Sequence, residues 1–287
     1  MDVFVAEIPE INLTHKNITE IKGLETLTNL QELYLSNNQI TEVKGLETLT
    51  KLQYLNLRDN QITEVKGFDT LINLQELYLS CNQITEIKGL DTLVNLEILF
   101  ISNNQITEVK GLDTLVNLEI LSLTHNQITE VKGLDTLTNL QKLCLSQNQI
   151  TEIKGLETLV NLQDLYLYNN QITEINGLGT LVNLQDLWLS GNQITEVKGL
   201  KTLTNLEILF IDSNHITEIN YLCIPDSLKY PSELIEGKRI CLKAKLLLDK
   251  IMIVNTVKWW YVNHHLMKPW HPYFIRKELD YINSFRR

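Results

Sequence analysis

The string Asn-Gln-Ile-Thr occurs eight times in this chain of 287 residues, at a constant spacing of 22. Asparagine stands at 38, 60, 82, 104, 126, 148, 170, 192 and 214, and an isoleucine follows each by two residues, from Ile40 to Ile216. A leucine pattern precedes each asparagine, as in Leu30, Leu33 and Leu35 before Asn38, and apolar residues three apart follow, as in Ile40, Val43, Leu46 and Leu49. Ten units fit this frame between residues 8 and 227. A period this short restricts the chain more than its composition does, because one unit is too small to bury its own apolar face. The seven inward positions of a unit make a core only when units stack, so the chain must be a solenoid.

Two periodicities share each unit. Leu33 and Leu35 alternate with Tyr34 and Ser36, which predicts a short strand with one buried face. The spacing of three from Ile40 to Leu49 predicts a 3₁₀-like or irregular return path in place of a long α-helix. The recurrent asparagine suits the turn out of the strand, where a buried carboxamide both donates to and accepts from backbone groups that have left the sheet. Nine of the twelve glycines form a second column, Gly23 to Gly199, each predicted to sit at a bend with positive φ or at a close approach between coils.

The unit L-x-x-L-x-L-x-x-N-x-I-x-x-[IV]-x-x-L-x-x-L-x-N resembles the 22-residue, SDS22-like class of leucine-rich repeats. The class includes a regulatory subunit of protein phosphatase 1 and the bacterial internalins, and arrays this uniform are similar to those of giant DNA viruses and protists. The resemblance implies an α/β repeat solenoid: an arc with a concave parallel β-sheet, a 3₁₀ or irregular convex side, and protein partners on the concave face. The signal peptide, helical N-cap and immunoglobulin-like segment of internalins are not visible in the sequence, which points away from that branch.

The framework explains itself, so function is sought in positions that vary. Three residues of each strand face the concave surface. The central column reads Asn12, Tyr34, Asn56, Tyr78, Phe100, Ser122, Cys144, Tyr166, Trp188, Phe210. With its flanking columns it defines two patches. The first is Tyr34, Tyr54, Tyr78, Ile98, Phe100 and Ile120, fringed by Glu32, Glu76 and Arg58. The second is Tyr166, Tyr168, Trp188, Ile208 and Phe210, fringed by Asp164, Asp186 and Asp212. Solvent-facing aromatics on rigid strands are the material of binding hot spots, and an apolar area of this size marks an interface. The acidic fringe favours a protein or peptide that brings Lys or Arg beside apolar anchors.

The net charge of −10 says less than it suggests. Residues 1–227 carry 13 basic and 30 acidic side chains, whereas residues 228–287 carry 12 and 5. Much of the acid sits at two return-path columns (Glu20, Glu42 and on; Glu25, Glu47 and on), tempered by Lys22, Lys44 and their equivalents, as a solvated surface that keeps the array soluble. A general nucleic-acid binder would need the opposite balance. The acidic N-terminus disfavours a signal peptide, and no apolar run is long enough to span a bilayer. An intracellular monomer is expected.

Leu228 is in register for an eleventh strand, but Pro231 falls where a core leucine belongs and cannot donate to a ladder, so the array is expected to stop there. Beyond it, residues 238–267 and a stripe of Ile275, Leu279, Ile282 and Phe285 after Pro272 predict a basic, Trp-rich helical cap over residues 228–287, preceded by the repeats at 8–227 and an N-terminal extension at 1–7. Cys81 and Cys144 lie three units apart, about 15 Å at one strand spacing per unit, too far for a disulfide. His264, His265, His271 and Cys241 lack metal-ligand spacing, and no nucleophile elbow, Walker motif or kinase signature is present. No cofactor, metal or catalytic residue is expected. Two functions remain: a non-catalytic protein-interaction module, an adaptor or modulator of a cellular enzyme, or a self-associating array whose concave face is filled by its own tail or another copy.

Overall fold

A computed structural model describes residues 8–219, 225, 227 and 230–232. Its strands are β1 (Glu10–Asn12), β2 (Glu32–Tyr34), β3 (Tyr54–Asn56), β4 (Glu76–Tyr78), β5 (Ile98–Phe100), β6 (Ile120–Ser122), β7 (Lys142–Cys144), β8 (Asp164–Tyr166), β9 (Asp186–Trp188), β10 (Glu196–Val197), β11 (Ile208–Phe210), β12 (Glu218–Ile219) and β13 (Tyr230–Ser232). Eleven of them form one sheet in chain order, with β10 and β12 paired separately on the return side. Every pairing is parallel and offset by one unit, as in Leu33↔Leu55 and Leu55↔Leu77. The period of 22 therefore becomes the sheet register, and each sequence column becomes a row across neighbouring strands.

Within a unit the alternation works as the sequence predicts. Leu33 and Leu35 are fully buried, and the core runs without a break from Ile21 to Ile211. The asparagine column closes the turns. Asn38 Nδ2 donates to Leu35 C=O at 2.9 Å and to Leu13 C=O of the preceding unit at 2.9 Å, while its Oδ1 accepts from Lys16 and Ile18 N–H at 3.0 Å each. The pattern repeats down the array to Asn214, which joins Leu189 C=O, Ile211 C=O and Ile194 N–H. Each carboxamide thus welds its own turn to the coil before it.

Gly133 shows why the glycine column is fixed. Its φ is 72°, and a Cβ there would lie 2.7 Å from the carbonyl oxygen of Val109, one coil back. Either condition alone disfavours a side chain. A second left-handed column was not read from the sequence. The residue before each ladder asparagine has φ between 53° and 59° wherever it is not glycine, including His125, Gln147 and Cys81. The enrichment of Asn37, Asp59, Asn103, Asn169 and Gly191 in this column was the available signal, since those residue types tolerate that conformation best.

Of the two return paths left open by the spacing, 3₁₀-like or irregular, the structure shows the irregular one, built of turns, and no helix occurs among the described residues. Leu27 N–H bonds Leu24 C=O at 2.9 Å and Leu30 N–H bonds Leu27 C=O at 3.0 Å. Bonds closed only at every third residue give two linked turns, whereas a 3₁₀-helix needs one at each successive residue. One expectation needs correction. The array does not stop before Pro231, because β13 pairs with β11 and sets Pro231 beside Leu209. Strand parity explains the tolerance. Glu32 N–H points back to Pro9 C=O, while Leu35 N–H points forward to Asn56 C=O. Pro231 shares the parity of Leu33 and Leu35, so its missing N–H would have pointed forward, away from β11. Among the described residues β13 is the last strand in the order, and it forfeits no bond to β11. The helical cap predicted for 228–287 lies otherwise outside the described residues, as do Cys223, Cys241 and the three C-terminal histidines.

Candidate functional site

The sheet register brings the predicted residues of each patch into rows. In the first patch Tyr34 and Tyr54 have ring centroids 4.7 Å apart, Tyr54 and Tyr78 5.2 Å, and Tyr78 and Phe100 5.2 Å with planes within 4°. In the second, Trp188 lies 5.2 Å from Tyr166, 6.4 Å from Tyr168 and 4.4 Å from Phe210. Parallel strands stand about 4.8 Å apart, so equivalent rings on neighbouring strands are held in contact by the backbone. Tyr54 joins the first row from the flanking column because Asn56 leaves a gap in the central one, and Asn56 Nδ2 donates to Tyr54 Oη at 3.3 Å.

These rings are less open than the sequence suggests. Tyr78, Ile98, Phe100, Ile120 and Tyr166 are buried, with Ile120 only 2% exposed. Tyr34, Tyr54, Tyr168, Trp188, Ile208 and Phe210 are half-buried, as are Asp164 and Asp186. Ring-on-ring contact accounts for part of this, since each neighbour covers an aromatic face that alternation alone would leave to water. The half-buried members are the ones whose surfaces a partner can reach.

The polar fringe is organised too. Tyr34 Oη donates to Glu32 Oε2 at 2.6 Å and Tyr78 Oη to Glu76 Oε2 at 2.7 Å, each two residues along its own strand. Lys142 Nζ bonds Asp164 Oδ2 at 3.3 Å and lies 4.7 Å from the centroid of the Tyr166 ring, combining an ion pair with a cation–π contact. Ser190 Oγ donates to the buried Asp212 Oδ1 at 2.5 Å, and Arg58 pairs with Asp59 at 3.0 Å. Glu32, Glu76, Asp164 and Asp212, among the acids expected to attract a basic partner, are therefore already oriented by hydroxyl or cationic neighbours. Between the patches, Ser102 Oγ and Ser122 Oγ are 2.7 Å apart.

The rest of the surface is scaffold. Lys66 bridges Glu42 at 3.1 Å and Glu64 at 3.0 Å, and Lys154 bridges Glu130 and Glu152 in the same way, so the predicted cross-unit pairs exist. Hydrogen bonds from Lys44 and Lys66 hold the Glu42 carboxyl below its ordinary value. These pairs are solvated and add little stability. The asparagine that closes the repeat pattern forms a second column, one residue before Leu74, Leu140 and their equivalents: Asn73 Nδ2 donates to Thr50 C=O at 2.8 Å and Asn139 Nδ2 to Val116 C=O at 2.9 Å. With the glutamines of the next column it lines an open polar groove of about 400 Å³ between Glu119 and Asn205, which shares no residue with the aromatic patches. Glu97, in that glutamine column, is pushed above its ordinary value by partial burial and then by Glu119 and Glu76. Cys81 and Cys144 are not joined in a disulfide. Among the described residues no cluster could hold a metal ion, and no helix is long and apolar enough to cross a membrane.

A parallel-sheet solenoid closed by an asparagine ladder, with its variable residues on the sheet face, defines a repeat scaffold. The chain belongs to the leucine-rich repeat family. Residues 7–62 match the family described as Leucine rich repeat, and residues 50–92, 94–136, 138–180 and 182–223 match Leucine Rich repeats (2 copies). Among solved structures it is similar to an internalin (InlF) of Listeria monocytogenes, with 31% identity, a TM-score of 0.63, and 78% of this chain and 73% of that chain covered. Internalin C2 of the same species gives 33% identity and a TM-score of 0.55 over 72% of this chain and 80% of that one. The ectodomain of the Arabidopsis thaliana membrane receptor kinase GASSHO1/SCHENGEN3, solved in complex with Casparian strip integrity factor 2, gives 26% identity and a TM-score of 0.58 over 70% of this chain and 29% of that one. Comparison with the curated proteins returned no match.

Proposed function

We propose that this chain is a non-catalytic interaction module that binds a protein or peptide across the aromatic sheet face. The observation that carries the reading is the pair of ring rows, Tyr34–Tyr54–Tyr78–Phe100 and Tyr166–Trp188–Phe210, on strands whose leucines lock them in place. Such rings lose little conformational freedom on binding, which is what makes aromatic anchors effective. The half-buried Tyr168, Trp188, Ile208 and Phe210 present the apolar area, and Asp164 and Asp186 beside them favour a partner with Lys or Arg next to its apolar anchors. The strict period of 22 residues supports placing the array in the SDS22-like class. A receptor ectodomain of the same fold solved with a bound factor lends the reading support, and the reading extends to a role as adaptor or modulator that needs no chemistry of its own.

The test is capture from a lysate of the source cells with the full chain as bait, beside Trp188→Ala and Tyr34→Ala. A specific partner should be retained by the parent and lost at least tenfold with one of the two variants, while urea unfolding shows the variants folded. Retention of the same partner by both variants refutes the site. A parent whose Trp188 fluorescence is already shielded from quencher, with no partner captured, supports instead the alternative of a face filled by the chain itself or another copy.

A further inference from the structure

The return path departs from its own pattern at Asn176 and at Gly179. Eight of the ten units have lysine at the first of these positions, and seven have an acid at the second. The first departure creates Asn176-Gly177, and asparagine is followed by glycine once in the chain. Every other asparagine is followed by a residue with a side chain. The difference is chemical. The main-chain nitrogen that follows an asparagine is a nucleophile within reach of the carboxamide carbon. A Cβ on the following residue hinders its approach, and glycine has none.

The surroundings leave this carboxamide open. Asn176 is exposed, and its Nδ2 donates to Glu174 Oε2 at 2.8 Å. Asn170 of the same unit is buried and held at both ends: Nδ2 donates to Leu145 and Leu167 C=O at 3.0 Å each, and Oδ1 accepts from Ile150 N–H at 3.0 Å. The second departure acts on the nucleophile. A carboxylate two residues on accepts from Gly23 N–H at 3.0 Å (Glu25) and from Gly45 N–H at 3.1 Å (Glu47). Gly179 stands at that position relative to Gly177 and has no side chain with which to do the same.

We propose that Asn176 and Gly177 form a self-modifying site, at which the folded chain converts Asn176 to aspartate and isoaspartate with water as the sole co-reactant. Gly177 N attacks Asn176 Cγ. The N–Cγ bond forms as the Cγ–Nδ2 bond breaks, and Nδ2 leaves as ammonia with the proton that Gly177 N gives up. Water then opens the cyclic imide at either of its two carbonyl carbons. One opening gives aspartate on the original main chain. The other routes the main chain through Cβ and Cγ of residue 176, as isoaspartate, and lengthens it by one methylene. Both products set a new carboxylate beside Glu174, whose carboxyl the Asn176 hydrogen bond and Lys198 hold below its ordinary value. The longer main chain also displaces Gly177, which packs against the preceding coil so closely that a Cβ would lie 3.1 Å from the carbonyl carbon of Ile153. Conversion therefore loosens the junction between the coils that carry β7 and β8.

The test holds the full chain folded in mildly alkaline buffer, which favours the deprotonated amide, and samples it by mass spectrometry with peptide mapping, beside Asn176→Lys and Gly179→Glu. Circular dichroism checks that both variants are folded. The parent should gain about 1 Da at residue 176, about tenfold faster than at any other asparagine. Asn176→Lys restores the repeat residue and should abolish that gain. Gly179→Glu restores the acceptor, at a position where a Cβ meets nothing within 4 Å, and should slow the gain by about twofold or more. The converted parent should unfold at lower urea than the fresh parent, while Asn176→Lys aged in the same way keeps its midpoint. Conversion led by another asparagine overturns the proposal, as does a folded parent unchanged at residue 176 while the same chain in urea converts there. A Gly179→Glu rate equal to the parent's overturns the part given to the Gly177 amide, and a converted chain with the fresh midpoint overturns the loosened junction.

Discussion

Asn126 sits in the middle of the ladder and is 8% exposed. Its Nδ2 donates to Ile101 C=O of the preceding coil at 3.2 Å and to Leu123 C=O of its own turn at 3.0 Å, and its Oδ1 accepts from Ile106 N–H at 3.0 Å. Asn126→Ala removes all three bonds at once. Leu123 C=O belongs to the same turn and can shift. Ile101 C=O and Ile106 N–H belong to the neighbouring coil, held from its other side by Asn104 bonding to Ile101 C=O. Two backbone groups then lose their partner, one of them fully, at about 1–3 kcal/mol for each unsatisfied buried group. A loss of about 1–3 kcal/mol is expected from urea unfolding followed by far-UV circular dichroism. Asn126→Asp should do at least as badly, because a carboxylate still accepts from Ile106 but places negative charge against two carbonyl oxygens. An alanine variant within about 0.5 kcal/mol of the parent, the level of an ordinary surface change, would refute the ladder as a source of stability. An aspartate variant as stable as the parent would show that acceptance alone matters.

Glycine columns give a paired prediction. Gly133→Ala places a Cβ 2.7 Å from Val109 O at a φ of 72° and should destabilise by about 1–3 kcal/mol, whereas Gly179→Ala meets nothing within 4 Å and should be neutral or stabilising by about 0.4–1 kcal/mol; thermal unfolding of the two proteins side by side decides it. Glu97→Gln tests the flank electrostatics. Because the folded protein raises the Glu97 carboxyl above its unfolded value, the ionised form opposes folding at neutral pH, and that penalty disappears as pH falls through the raised value. The variant should therefore be slightly more stable at pH 7, by about 0.2 kcal/mol given its exposure, with the difference closing in acid. Urea titrations at pH 7 and pH 4 that show a constant or growing difference contradict the assignment.

Much of this fold is legible in one unit. Leu33, Leu35 and Ile40 declare strand and turn, Asn38 declares a buried carboxamide, and repetition declares stacking. Each depends on local geometry and on apolar area that must find a neighbour, and the neighbour is another copy of the same pattern. The aromatic columns were legible for the same reason, since period-2 alternation fixes which side chains leave the core.

What the sequence hid depends on relations between coils. The return path reads as 3₁₀ or turns from spacing alone, and only the bonding of Leu24, Leu27 and Leu30 distinguishes them. Alternation shows which way Tyr78 and Phe100 point but not how much of each ring its neighbour covers, because coverage depends on rotamers across strands. Pro231 is visible as a ladder breaker, yet whether it breaks a bond depends on which side of β13 has a partner. The sequence by itself determined a leucine-rich solenoid, its register and its outward-facing columns, because a 22-residue period permits one way to bury its leucines. Tertiary structure alone decided how open those columns are and that Pro231 takes a place in the sheet, because exposure and strand-edge bonding are properties of adjacent coils and not of any one of them.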